Sequence, residues 1–526
     1  MTDTTLSPYY TSVNLDLLRF IPPDTERVLE IGCGAGALCE AFRRINPRVC
    51  WIGIDINREA IEAAKKFDID AYCYDVEKDD LLDNEQCDVL IFGDVLEHLR
   101  DPWSVLKRLA LQVIPGGQVL ACIPNVQHWS VQLAIKKGDF PYSAEGLFDR
   151  THLRWFTRKT MVEMFTTAGL HVFDVNPHRW GENPPGDWNG GPDSLANQFV
   201  IRAIKPTDQP IQPLHIHAII APNCCVRPRI FEPLEAMTAI PGVKTTFAFT
   251  GDRNPVIGND PTIVIFQRTS SRQNPFDIGR LKRSLLTLNN WPNVATIYEI
   301  DDDPREILQD PSVMSYCHAV QCSTENLANV CRVWNPHVQV IPNWIADLPP
   351  WQPKPVRNKI RIFYAGQGGR PDWQDIMPNL KATARKYSDR ITWVIVNDKN
   401  FWTEICNREN HDDPRISAEI YPFQSYDRYR EILRGCDIAI FPLADTPFNR
   451  CKSSIKILEA GAEGVVAIYS RSVFLETLKL INLNDLIILP DRRQQLAKNL
   501  YDIVSSQCLL SQHYRESLDW YRFVIR

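Results

Sequence analysis

From Arg27 onward, short continuous apolar runs alternate with stretches whose apolar residues recur every three or four positions. The runs RVLEIG, CWIGIDI, DAYCYDV, CDVLIFGDV and QVLACIPN predict five strands. Between them, ALCEAFRRI, REAIEAAKKF and WSVLKRLALQVI predict amphipathic helices. A parallel strand buried on both faces needs apolar residues at every position, so it reads as an unbroken run. The alternation therefore predicts a doubly wound parallel sheet. A further helix, RKTMVEMFTTAG, leads into HVFDVNP, and NQFVIRAIK is expected to close the sheet as an edge strand.

The pattern breaks at KPTDQPIQP, Lys205 to Pro213, which is polar, aperiodic and contains three prolines. It then restarts. LHIHAIIAP, TTFAFTG, PTIVIFQ, VATIYEID, AVQCS and VQVIPNW predict a second set of strands. After the Pro-rich DLPPWQPKPVRNK, the runs IRIFYAG, ITWVIVN, ISAEIYPF, CDIAIFPL and VVAIYS predict a third. The fold class expected is α/β, in three doubly wound Rossmann-like units. Their expected bounds are 1–205, a linker at 206–213, then 214–350 and 358–526.

Composition alters this picture little. A chain of 526 residues suits about three domains. The net charge of −6 argues against a nucleic-acid partner, which calls for a basic excess. The fifteen cysteines include no C-x-x-C pair, so they read as reduced core residues, and no metal site is expected. The N-terminus MTDTTLSPYY lacks a basic region followed by an apolar core, and no apolar run approaches the ~20 residues of a membrane span. A cytoplasmic protein is expected, with at most peripheral membrane contact.

The first candidate chemistry lies in VLEIGCGAGAL, Val28 to Leu38. Gly32, Gly34 and Gly36 let backbone approach a ligand that side chains would block, and the next helix points its N-terminus at it. Asp55 ends the second strand at the separation where an acid meets a ribose hydroxyl pair. The glycines alone also fit a dinucleotide site. Glu30, two residues before the first glycine, can meet an amino group of a sulfonium ligand or order the loop. Asp75 is placed for an adenine amino group, and Asp94, Glu97 and His98 follow the fourth strand in GDVLEHLRDP.

EIGCGAG, IGID, YDVE, DVLIFGDVLEHL and PGGQVLACIPN, in that order over about 200 residues, resemble the class I S-adenosylmethionine-dependent methyltransferases. GLFDRTHLRWFTRKTM, Gly146 to Met161, is similar to a branch found beside polysaccharide and O-antigen genes. The resemblance implies S-adenosylmethionine as cofactor, held by Glu30, Gly32, Gly34, Gly36, Asp55, Asp75 and Asp94. Methyl transfer to a sugar hydroxyl also benefits from a base, and His98, His152 and Asp149 are the catalytic candidates.

In the second half, FPLADTPFNRCKSSIKILEAGAEGVVAIYS places Lys452, Ser453 and Lys456 at a helix start, a ready diphosphate site, with Glu459 one turn on for ribose hydroxyls. With QCSTENLA, VIPNW and IRIFYAG, it resembles the two-Rossmann GT-B glycosyltransferases that use nucleotide sugars. Gly366 and Arg370 are further candidates for the donor phosphates. Many relatives of that kind carry a glutamate where Cys451 stands, a departure affecting the usual donor contact. Asp301, Asp302 and Asp303 end a strand and are expected to line a cleft or cap the following turn rather than bind a metal.

The combined expectation is a bifunctional O-methyltransferase and glycosyltransferase. Its cofactors would be S-adenosylmethionine and a nucleotide-sugar donor, and its acceptor a surface glycan or lipid-linked precursor. Two alternatives stay open: a methyltransferase with a non-catalytic glycan-binding GT-B half, and an NAD-dependent sugar-modifying fusion.

Overall fold

A computed structural model describes residues 7–526, apart from 68, 80–85, 187, 222–225, 253–256, 270–271, 273–276, 367–370, 409–410, 413–414 and 471–482. The chain divides into two compact units, one of residues 1–213 with 235–244, the other of residues 214–234 with 245–526.

The first unit is built on strands β1 (Arg27–Ile31), β2 (Cys50–Asp55), β3 (Asp70–Cys73), β4 (Cys87–Gly93), β5 (Val113–Pro124), β6 (His171–His178) and β7 (Gln198–Ile204). They lie in the order β3-β2-β1-β4-β5-β7-β6. The first five are parallel, while β7 runs antiparallel to both of its neighbours. Side chains alternate between two cores. Leu29, Leu90, Phe92, Val119 and Ala121 pack on one face, and Val28, Val89, Ile91, Leu120 and Cys122 on the other. Burial on both faces is why these strands are unbroken apolar runs.

Two expectations change here. The stretch expected as an edge strand is β7, which lies inside the sheet, and the edge is β6. Its run FVIRAI is buried along its whole length, as an internal strand requires. The helix expected through Ile114 ends at Leu109, and Val113 and Ile114 already belong to β5. An apolar run carries no mark of where a helix gives way to a strand.

The second unit contains two larger sheets. One orders Val338–Val340, Ala319–Cys322, Val294–Ile300, Thr262–Gln267, Leu214–Ile220 and Val243–Phe249 side by side. The other orders Ser417–Tyr421, Ile391–Val396, Ile360–Ala365, Ile438–Phe441 and Val466–Tyr469, all parallel. In the latter, Ile362, Trp393 and Ile438 face one core, and Phe363, Val394 and Ala439 the other. The α/β expectation thus holds in both units. Among the described residues, no helix is long and apolar enough to cross a membrane.

Candidate functional site

In the first unit the turn after β1 is held by its own backbone. The amides of Gly32 and Cys33 donate to Ile54 O at 2.7 and 3.1 Å. Gly34 N donates to Asp55 Oδ2 at 2.9 Å, and Ala35 N to Tyr10 O at 2.9 Å. Gly32, Gly34 and Gly36 have φ of 79°, 53° and 84°, the left-handed region that disfavours side chains. A Cβ on Gly34 would also sit 2.8 Å from Tyr10 O. The sequence therefore needs these glycines for the turn itself as well as for any ligand.

Asp55 accepts from Gly34 N through one oxygen and from Asn57 N, 2.8 Å away, through the other. Burial raises its pKa despite these bonds. Glu30 is buried and accepts from Trp51 Nε1 at 2.9 Å. Burial pushes its carboxyl up to about 8, the Trp51 bond opposing and the charge of Asp55 adding. Burial raises both acids beside the glycine turn, so a cation brought between them would favour their charged forms. The sulfonium and ammonium of S-adenosylmethionine are such cations, so these residues fit the cofactor that the resemblance implies. Asp75 is committed locally: its carboxylate accepts from Glu77 N at 3.0 Å and pairs with Lys78, which lowers its pKa.

At the end of β4, Asp94 adopts φ 52° and accepts from the Gln198 amide. Burial raises its pKa to about 6. Glu97, next on the short turn Leu96–His98, is 1% exposed, and neither of its carboxyl oxygens has a hydrogen-bond partner. Burial and the adjacent Asp94 hold its pKa well above the usual range. The backbone of Glu97 joins the site's two halves. Its carbonyl accepts from Leu153 N at 2.8 Å and Arg154 N at 2.9 Å, which draws the DRTHLR loop onto the turn.

That draws together the three residues singled out as catalytic candidates. The rings of His98 and His152 lie 4.8 Å apart, edge to face. His98 Nδ1 faces Thr151 O at 3.2 Å, and Thr151 Oγ1 donates to Asp149 Oδ1 at 2.6 Å. Against the effect of burial, the Thr151 bonds and the two histidines keep Asp149 below the usual carboxylate range. Burial first, then His98, pushes His152 down to about 4, with Asp149 opposing. His152 is therefore a neutral lone-pair donor at pH 7 and a weak proton acceptor.

The same loop carries aromatic residues that the motif reading passed over. Phe140 meets Tyr142, Phe148 and Trp155 at centroid distances of 5.0–5.3 Å, and Trp155 touches His152 at 5.6 Å. Tyr142 is 69% exposed. The signal was the aromatic density of FPYSAEGLFDRTHLRWF. Thr157 caps the helix Arg158–Thr167 that follows, through a capping box with Thr160.

In the second unit, Lys452 Nζ pairs with Asp302 Oδ1 at 3.0 Å. Arg268 pairs with Asp301 and Asp302 at 3.2 Å each. Ser453 Oγ accepts from Asn343 Nδ2 at 2.7 Å, and Lys456 Nζ donates to Ala365 O at 3.1 Å, next to Gly366. Glu459 is buried, and burial raises its pKa against the attraction of Arg430. Cys451 lies in an apolar cluster with Met314, Leu327 and Cys331, its thiol pushed up to about 11 chiefly by burial. Asp303 caps the turn Pro304–Ile307, as expected. Arg370 lies outside the described residues.

Residues 9–175 match the family model described as "Methyltransferase domain". The chain is also similar to two ubiquinone biosynthesis O-methyltransferases. One, from Nitrobacter winogradskyi, is 31% identical over 189 residues, covering 35% of this chain and 58% of that protein. The other, from Rhodopseudomonas palustris, is 32% identical over 196 residues, covering 34% of this chain and 72% of that protein. A solved plantazolicin methyltransferase in complex with SAH is 18% identical, with a TM-score of 0.28 over 37% of this chain and 86% of that one.

Proposed function

The chain belongs, through its first unit, to the class I S-adenosylmethionine-dependent methyltransferases, and from that premise we propose that it methylates a hydroxyl oxygen of a glycan or lipid-linked glycan precursor in the cytoplasm. The observation that carries this reading is the pair of buried acids, Glu30 and Asp55, set around the left-handed glycine turn. The O-methyltransferase relatives support oxygen as the acceptor atom.

S-adenosylmethionine, when bound, supplies an electrophilic methyl group that needs alignment more than activation. Glu30 and Asp55 would balance its positive charge and take its hydroxyls, with Asp94 just after β4. Gln198 fixes the Asp94 carboxyl, and the Glu97 carbonyl fixes the loop that brings His98 and His152 to the same place. With Nδ1 donating to Thr151 O, His98 keeps a lone pair on Nε2 to meet the acceptor hydroxyl. The aromatic wall of Phe140, Tyr142 and Trp155 supplies apolar faces suited to a sugar ring or a lipid chain.

For the second unit we propose nucleotide-sugar binding at Lys456, Glu459 and Gly366, feeding glycosyl transfer onto the same acceptor. A specific observation favours a second reading, in which this unit only presents glycan. Lys452 and Ser453 are already engaged by Asp302 and Asn343, and Cys451 is core. Calorimetry of the full chain with UDP-, GDP- and dTDP-sugars decides. One nucleotide sugar should bind, and Lys456→Ala with Glu459→Ala should abolish it while leaving S-adenosylhomocysteine binding intact. Absence of any nucleotide-sugar binding selects the presenting role. The methyl-transfer reading is tested by mass analysis of lipid-linked glycans incubated with S-adenosylmethionine, where one added methyl per acceptor is expected and none would contradict it.

A further inference from the structure

Glu97 is a buried acid whose carboxyl is left without hydrogen bonds. It is 1% exposed, and both carboxyl oxygens lack a hydrogen-bond donor. A buried carboxyl in that state loses its hydration without replacement, which is costly in either protonation state. The sequence places it where two imidazoles converge. His98 follows it on the same turn, and His152 arrives because Leu153 and Arg154 bond to the Glu97 carbonyl. One donor atom from each of Glu97, His98 and His152 lies within 4.8 Å of the others.

The orientation of the rings adds a second, independent sign. His98 Nδ1 lies 3.2 Å from Thr151 O and 3.1 Å from Thr151 Oγ1; a carbonyl only accepts, so Nδ1 donates there and the neutral ring carries its lone pair on Nε2. A metal-ligating histidine characteristically donates its other ring N–H to such an acceptor. His152 Nδ1 is buried and has no hydrogen-bond partner. Asp149, bonded to Thr151, sets negative charge behind both rings.

We propose that Glu97, His98 and His152 bind a divalent cation of borderline softness, of the Zn²⁺ or Co²⁺ kind. Two imidazoles and one carboxylate suit such ions better than Mg²⁺, which favours all-oxygen octahedra. Three protein ligands leave a coordination position open, as in metal sites that act on a substrate. The role of the metal rests on the methyl-transfer reading; its geometry does not. In that role the open position takes the acceptor's hydroxyl oxygen and lowers its pKa, so that its proton leaves to water. The oxygen then forms its bond to the methyl carbon as the carbon–sulfur bond breaks, the electron pair staying on sulfur. The products are a methyl ether, S-adenosylhomocysteine and one proton. The lone pair of His98 meets the hydroxyl through the metal rather than directly.

The test uses the full chain, stripped with a chelator and titrated with Co²⁺, whose visible absorption reports nitrogen and carboxylate ligation. S-adenosylhomocysteine binding is followed in parallel. One Co²⁺ per chain is expected, displaced by Zn²⁺. Its affinity should fall at least tenfold in Glu97→Gln and in His152→Gln, both still binding S-adenosylhomocysteine. If Glu97→Gln fails to fold, His98→Gln takes its place with the same expectation. Co²⁺ binding that is absent, or unchanged in folded variants, overturns the site. S-adenosylhomocysteine binding without Co²⁺ leaves the methyltransferase reading standing alone. Ligand-specific Co²⁺ binding without S-adenosylhomocysteine keeps the metal and overturns that reading.

Discussion

Glu30 is a carboxyl whose surroundings favour its neutral form until a cation arrives. With its pKa at about 8 in the folded chain and near 4.5 when unfolded, the folded state holds the extra proton between those values. Stability contributed by this group is therefore lost as pH rises from about 5 to 8. Glu30→Gln keeps an acceptor for Trp51 and removes the titration. Its stability relative to the parent chain should rise by on the order of 3 kcal/mol between pH 5 and pH 8, measured by denaturant unfolding without ligand. The same substitution should weaken S-adenosylmethionine binding and abolish the proton released on binding at pH 7, read by calorimetry in two buffers. A flat difference across pH would contradict the buried-acid account. Gly34→Ala, with φ 53° and a Cβ forced against Tyr10 O, should cost ~1–3 kcal/mol and bend the turn away from its ligand. Cys451 offers the converse case. A glutamate there would bury a carboxylate in the cluster that holds Met314, Leu327 and Cys331. Cys451→Glu should destabilise the chain on the order of 3–5 kcal/mol and confer no donor contact, checked by thermal unfolding and nucleotide-sugar binding.

At the scale of the element, the capped helix Arg158–Thr167 sets where the DRTHLR loop ends. Thr157→Ala removes the hydroxyl that accepts from Thr160 N and leaves the Thr157 amide donating to Thr160 Oγ1. It should cost about 1 kcal/mol and speed amide exchange in the first turn, without changing S-adenosylmethionine affinity. The existence of that helix and of its cap was legible from Thr157 and the periodic apolar residues behind it. The parallel strands were legible because residues such as Leu90 and Ile91 face opposite cores, and only an unbroken apolar run serves both. The position of β7 was not legible, since FVIRAI says that it is buried but not which strands flank it. The site divides the same way. Residue types marked His98, Asp149 and His152, but the closure onto the Glu97 carbonyl is a backbone contact with no signature in side chains. Cysteine spacing, from which no metal site was expected, says nothing about a carboxylate and two imidazoles that approach one another from fifty-odd residues apart, as Glu97, His98 and His152 do.

At the scale of the whole molecule, a methyltransferase unit shares its chain with a second α/β unit, in which the sheet containing Ile360–Ala365 carries an apolar core on each face. The central claim remains the identity of the ligand at the glycine turn. Its most direct test is equilibrium binding of S-adenosylmethionine, S-adenosylhomocysteine and NAD to the purified full chain and to Asp55→Ala. The account predicts that the two sulfur ligands bind one per chain, that NAD does not, and that Asp55→Ala weakens both at least tenfold. Binding of NAD in their place, or affinities unchanged in Asp55→Ala, would contradict it.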